Sequence, residues 1–467
     1  TGSALKKPAL SCGLFIGRVS GASCVGNCKS EGNVVRFELR LKASLGYRGI
    51  SVLKLKQHIQ QAYTMNNPAL GANRVLSIDV FRGIIIFTMV FVNELAGIAN
   101  VPQWMKHLPA DVDGMTFVDL VFPAFLFIVG MSIPFAVQAR ANKGDSALEI
   151  FKHIALRSFG LMVIGVFMVN TEYGYDAAAM SISIPLWTLL MFISVLLIWS
   201  NYPRTISANI ALGAKLIGVA GLVTLWWLYK GPNDTGMTTQ WWGILGLIGW
   251  AYLIAGTLFM IARQCASPAT QFFTLAISAL ALIAIFFAMD AIKVNFSAGL
   301  FMTKVFELNC NYTHAAIVLA GVILSQLFYL SNFAASKFKN YLVFTGIVGV
   351  LAFVSWQISP ISKIWATPSW ALFSVFFCCL IFGLVYWLVD VKNQRAWTKF
   401  FEPSATNPLL VYILPYIILA LCGIFGFYLR PEMFNAGVAG IIWCLFFACV
   451  IMGIGALLTR IGLRVKL

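Results

Sequence analysis

Residues 113–133 read DGMTFVDLVFPAFLFIVGMSI, and the second half of that stretch decides the fold. From Phe117 the chain stays apolar for about 20 residues, the length a helix needs to cross a hydrocarbon core of about 30 Å. One charge, Asp119, stands just inside the run. Runs of this kind recur from end to end of the 467 residues, 60% of which are hydrophobic and 11% charged, with a mean hydropathy of +0.84. A soluble protein of this size could not cover its surface with so few charges. The chain is therefore an all-α, polytopic bundle of transmembrane helices in a lipid bilayer.

About twelve spans (10–12) are expected, near 76–97, 117–138, 151–169, 182–199, 208–229, 241–262, 270–289, 313–331, 341–358, 368–389, 405–427 and 436–459. Trp187, Trp241, Trp242 and Trp370 fall at span ends, which predicts interfacial belts. With the N-terminus cytoplasmic, the inside loops hold fourteen Lys/Arg and the outside loops six, among them Lys106, Lys363 and Arg430. That asymmetry predicts both termini inside.

The net charge of +16 is unevenly placed, with +8 in residues 1–64. Basic loops record topology and attraction to anionic lipid. No basic motif interleaved with aromatic residues is present, so nucleic acid is not an expected partner. Residues 1–64 contain no span and read as an atypical basic segment: a disordered tail, a tag, or sequence upstream of a start at Met65. Residues 65–467 form the membrane domain. The ten cysteines show no metal-binding spacing and no disulfide framework.

Immediately before the 117–138 run lies the one stretch dense in ionisable groups, with Glu94, Lys106, His107, Asp111, Asp113 and Asp119. In the predicted orientation it is the first extracytoplasmic loop. Asn311 and His314 at the mouth of the eighth span, and Lys363, Thr367 and Ser369 before the tenth, fall on the same side. Asp79 and Arg82 form a separate group at the cytoplasmic end of the first span, three residues apart on one helical face. They read most simply as a neutralising pair, and His314 reads equally as an interfacial histidine. Asp119 is different, because a lone carboxylate inside an apolar run is costly without a partner. His107 is the obvious one. A carboxylate on one ring nitrogen fixes the tautomer and frees the other nitrogen as a base. Lys106 beside it favours the neutral ring. With an amide donor nearby, these residues make a general acid–base site.

The wording RVLSIDVFRGIIIFTMVFVN (74–93), then His107, then DGMTFVDLVFPAFLFIVGMSI resembles the heparan-α-glucosaminide N-acetyltransferase family. Weaker echoes occur at NYTHAAIVLAGVIL, KIWATPSW and NPLLVY. The resemblance implies a multi-span enzyme that moves acetyl from cytosolic acetyl-CoA to a glucosamine-type amine across the membrane. It places the catalytic histidine on His107, the asparagine of the V-N motif on Asn93, and the aspartate of D-L-V-F-P on Asp119. The family's H-A-x-W-x-G wording stands here as HLPADVDG, two residues longer and without the Trp, which leaves the acceptor open. The Asn93 amide would face the developing oxyanion. Arg82 and Asp79 would serve the anionic donor, while Asp113, Asn311, His314, Lys363 and Thr367 would line the substrate. No metal is expected, a homo-oligomer stays open, and the location implied is a bacterial inner membrane. Two other readings compete. Asp111-Val112-Asp113 has the D-x-D form of a polytopic glycosyltransferase with a polyprenyl-phosphate donor. Broken helices such as VFPAFLFIVGMSIPFA would suit a sugar or small-molecule transporter.

Overall fold

The computed structural model describes residues 75–203, 205–239, 243–295, 310–329 and 337–466. The basic segment 1–64, the Met65 start, Trp241, Trp242 and the cysteines before residue 65 lie outside the described residues. Within them the fold is helical, with isolated β-bridges and no ladder strand.

Among the described residues, twelve apolar helices fall on the expected spans. They are α1 Leu76–Leu95, α2 Phe117–Ala141, α3 Ala147–Glu172, α4 Ile184–Trp199, α5 Ala208–Leu228 and α6 Ile244–Ala262, followed by α7 Pro268–Asn295, α8 Cys310–Tyr329, α9 Lys337–Trp356 and α10 Pro368–Tyr386. A short helix, α11 Glu402–Thr406, precedes α12 Pro408–Phe425 and α13 Gly437–Arg460. Eleven of the twelve are long and apolar enough to cross a membrane. The exception is α4, at 16 residues, which at 1.5 Å per residue reaches roughly 24 Å.

The bundle is organised around α8. Of its most apolar stretch 89% is buried, against 17% for α5 and α7, which turn their side chains outward. Small residues allow that enclosure. A Cβ on Gly130 of α2 would strike the Val318 carbonyl oxygen of α8, and one on Gly321 would strike that of Phe127. Backbones therefore touch at this crossing, the arrangement that favours packing where lipid supplies no hydrophobic drive. A Cβ on Gly165 of α3 would likewise meet the backbone nitrogen of Gly246 in α6.

Trp187 and Trp370, expected in interfacial belts, are instead fully buried. Each indole N–H has found a backbone acceptor, Leu225 O at 2.9 Å and Asp119 O at 3.2 Å, which removes the penalty for taking the polar end out of water.

Two ends of the bundle are distinguishable. At one, Ser404 donates to the carbonyl of Gly83, and Asn407 binds Thr459, Leu463 and Val465, joining the first turns of α1 to the C-terminal tail. At the other, Glu94 at the end of α1 meets Arg430 and Trp443 at the start of α13. The first and last spans therefore run antiparallel.

Candidate active site

The loop between α1 and α2 carries His107 at the second end. Its ring Nδ1 lies 2.6 Å from Asp119 Oδ1, a short, charge-assisted contact. Asp119 reaches it because of where its helix begins. The stretch Thr116-Phe117-Val118-Asp119 is a T-x-x-D capping box, in which the Thr116 N–H donates to Asp119 Oδ2 at 3.0 Å. One carboxylate thus caps α2 with one oxygen and orients the imidazole with the other. The side chain of Asp119 is 1% exposed and that of His107 44%, so a buried anchor holds a reachable base. With the Nδ1 hydrogen directed to Asp119, the lone pair belongs to Nε2.

The lysine that meets the ring is Lys363, not the adjacent Lys106. Its Nζ stands 3.2 Å from Nε2 and 3.4 Å from Nδ1, whereas Lys106 supplies its carbonyl to the Thr116 hydroxyl. Burial pulls the Lys363 ammonium below the ordinary lysine range, and the charge of Asp119 partly opposes that fall.

Asp113 positions this lysine. Its Oδ1 accepts from the Ile361 N–H at 2.7 Å and its Oδ2 from the Trp356 indole at 2.8 Å, while Ser362 donates to the carbonyl of Ala110. The α1–α2 and α9–α10 loops are thereby locked together. Both oxygens of Asp113 thus take part in the lock. Thr367 serves the same loop as N-cap of α10 and partner of the Ser362 N–H. Ala366 next to it holds a left-handed φ of 49°, a conformation that costs an alanine roughly 1–2 kcal/mol.

Asn311 and His314, expected at the mouth of a span, are both 3% exposed, because α8 is enclosed from its first turn. His314 packs edge-on against Phe122 and Trp370, with ring centroids at 5.2 and 5.9 Å. It lies behind the His107–Asp119 pair, through the indole that binds Asp119. Its Nδ1 and Asn311 Oδ1 have no hydrogen-bond partner among the described residues.

His107 and Asn93 line one cavity of about 340 Å³, together with Glu94, Glu172, Tyr412 and Tyr416. Asp79 and Arg82 are not part of it. They pair at 3.1 Å near the opposite end, where Arg82 also donates to Ser132 and the Ala405 carbonyl. Arg82 lines a second cavity of about 340 Å³ with Arg157 and Lys466. Ile244, Leu245 and Tyr412 border both cavities. The basic cavity and the His107 cavity thus meet inside the bundle across a thin apolar wall.

Thr116 and Glu172 escaped the reading of the sequence. Thr116 was legible as the first residue of a capping box, and Glu172 as a carboxylate closing an apolar run. Lys466 at the tail carried no local signal.

Fold and site together define a polytopic membrane protein with an Asp-oriented histidine at one end of the bundle, opening on an internal cavity. The comparisons with known proteins narrow this class. Residues 74–263 match a family described as "Domain of unknown function (DUF5009)", a region that includes Arg82, Asn93, His107, Asp119 and Glu172. Heparan-alpha-glucosaminide N-acetyltransferase of Mus musculus is 42% identical over 104 residues, which is 22% of this chain and 15% of the mouse protein. The Homo sapiens protein of that name is 43% identical over 101 residues, 21% of this chain and 14% of its own length. The chain is a relative of these transferases over the shared stretch, which spans about one seventh of their length.

Proposed function

We propose that this protein transfers an acetyl group from acetyl-CoA to the amine of a glucosamine-type sugar. The observation that carries the reading is His107, oriented by Asp119 at 2.6 Å and lining the same cavity as Asn93. The amine nitrogen attacks the thioester carbonyl, and Nε2 of His107 takes the proton it sheds. The Asn93 amide donates to the oxyanion that forms. The C–S bond then breaks, and the proton passes from the imidazolium to the departing thiolate, leaving CoA as its thiol. Lys363, 3.2 Å from Nε2 with its own affinity for a proton reduced by burial, gives way to the acceptor amine.

The second cavity supports the donor assignment. Arg82, Arg157 and Lys466 offer cationic groups to the CoA phosphates. The lining shared by the two cavities, Ile244, Leu245 and Tyr412, is where the pantetheine arm would cross towards His107. Both termini and the basic cavity are read as cytoplasmic, His107 as extracytoplasmic, and the membrane as a bacterial inner membrane. The test is incubation of the purified protein with labelled acetyl-CoA and a panel of amino sugars, followed by mass spectrometry. No acetylated sugar from any member of the panel would overturn the reading. Cysteine labelling of intact cells at positions 107 and 143 tests the orientation, and labelling at 143 alone would reverse it.

A further inference from the structure

Glu172, the last residue of α3, lines the His107 cavity together with Glu94. Asp119 is held by His107 and Thr116, Asp113 by Trp356 and Ile361, and Glu94 by Arg430 and Trp443. Glu172, an exposed residue at the rim of that cavity, makes no hydrogen bond or ion pair among the described residues. Across the same cavity stand Tyr412 and Tyr416 of α12, their ring centroids 5.9 Å apart.

An unpaired carboxylate beside aromatic faces is suited to a polyol. Its two oxygens accept from neighbouring hydroxyls, while the rings pack against the C–H face of a sugar. A free ammonium is the less suitable occupant. Ion pairing would hold the proton on the amine that His107 must deprotonate, opposing the reaction the cavity is arranged for. The cavity, at about 340 Å³, lies within the range that encloses small ligands.

We propose that Glu172, with Tyr416, forms the acceptor subsite: its carboxylate takes the ring hydroxyls of the amino sugar and leaves the amine to His107. This rests on the acetyl-transfer reading, and it makes Glu172 a residue that selects polyhydroxylated amines over simple ones. It has no part in proton transfer.

The test uses the full chain in detergent, with glucosamine as the probe. Steady-state transfer at saturating acetyl-CoA and direct calorimetric binding of glucosamine are compared for wild type, Glu172→Gln and Glu172→Ala. Glu172→Ala is expected to raise KM and Kd for glucosamine by about 10–100-fold, the cost of losing hydrogen bonds to a charged group, with kcat changed by less than about threefold. Glu172→Gln, which keeps one acceptor oxygen, falls between. The KM for cyclohexylamine, which has no hydroxyls, rises by a smaller factor. Glu172 ends its helix, where the macrodipole disfavours an acid, so neither substitution threatens folding. Unchanged KM and Kd, or a fall in kcat shared equally by both amines, overturns the proposal. Should no amine be acetylated while glucosamine binding still weakens in Glu172→Ala, the acetyl-transfer reading fails and the subsite stands. A wild type that does not bind glucosamine overturns the subsite as well.

Discussion

Replacing Asp119 by Asn probes the site most directly, because three contacts end on that carboxylate. Oδ1 meets His107 Nδ1 at 2.6 Å, and Oδ2 accepts from the Thr116 N–H at 3.0 Å and lies 3.1 Å from the Thr116 hydroxyl, whose hydrogen it shares with the Lys106 carbonyl. The substitution preserves size and leaves an amide oxygen able to accept one of these bonds. What it removes is the charge. A hydrogen bond to a charged group contributes about 1.5–3 kcal/mol and a neutral one about 0.5–1.5, so the imidazolium formed in the transition state loses about 1–2 kcal/mol. If the amide oxygen stays on the Thr116 cap, its NH₂ faces Nδ1 and drives the ring into the tautomer whose Nε2 bears the hydrogen. The analogous change in a serine-protease triad costs about 10⁴ in kcat. Asp119→Asn should therefore lower kcat by about 10²–10⁴, with the KM for acetyl-CoA unchanged because the cavity proposed for the donor is lined by Arg82, Arg157 and Lys466 and not by Asp119. Labelled-acetyl transfer under saturating substrate measures the first quantity, and thermal unfolding in detergent checks the fold. The weakened cap should cost about 1 kcal/mol of stability. A kcat within about threefold of wild type, in a folded variant, would show that Asp119 serves only as a helix cap.

His107→Ala should abolish transfer while acetyl-CoA still binds, as equilibrium binding of the labelled donor would report. Asn93→Ala should reduce kcat by about 10²–10³, the usual cost of one oxyanion donor, with little change in KM. Lys363→Met tests the lowered proton affinity through stability. Between the depressed folded value and the ordinary value near 10.4, the unfolded state binds more protons, so wild-type stability should rise with pH across that window and the rise should be smaller in the variant. Gly130→Ala places a methyl against the Val318 carbonyl, a backbone atom that cannot swing aside, and should lower the melting temperature by the equivalent of about 1–3 kcal/mol or prevent folding.

Much of this protein was decided by the sequence itself. A run of about 20 apolar residues leaves the chain no choice in lipid but a helix, since every backbone N–H and C=O must be satisfied within the segment. The spans and the pairing of His107 with Asp119 followed from that constraint and from the expense of a lone buried carboxylate. Contacts between distant segments were not legible, because hydropathy says how deep a residue sits and nothing about its neighbours. Trp187 and Trp370 read as interfacial residues, yet each is buried because a carbonyl on another helix, unknowable from its own segment, accepts its N–H. Lys363 reaches His107 across 256 residues where bonds from Asp113, Gly114 and Ser362 join two loops. Asn311 and His314 went inward because Gly130 and Gly321 let α2 and α8 touch backbone to backbone, which puts α8 at the centre of the bundle. That closeness is a property of helix packing, and so are the two cavities that meet at Tyr412.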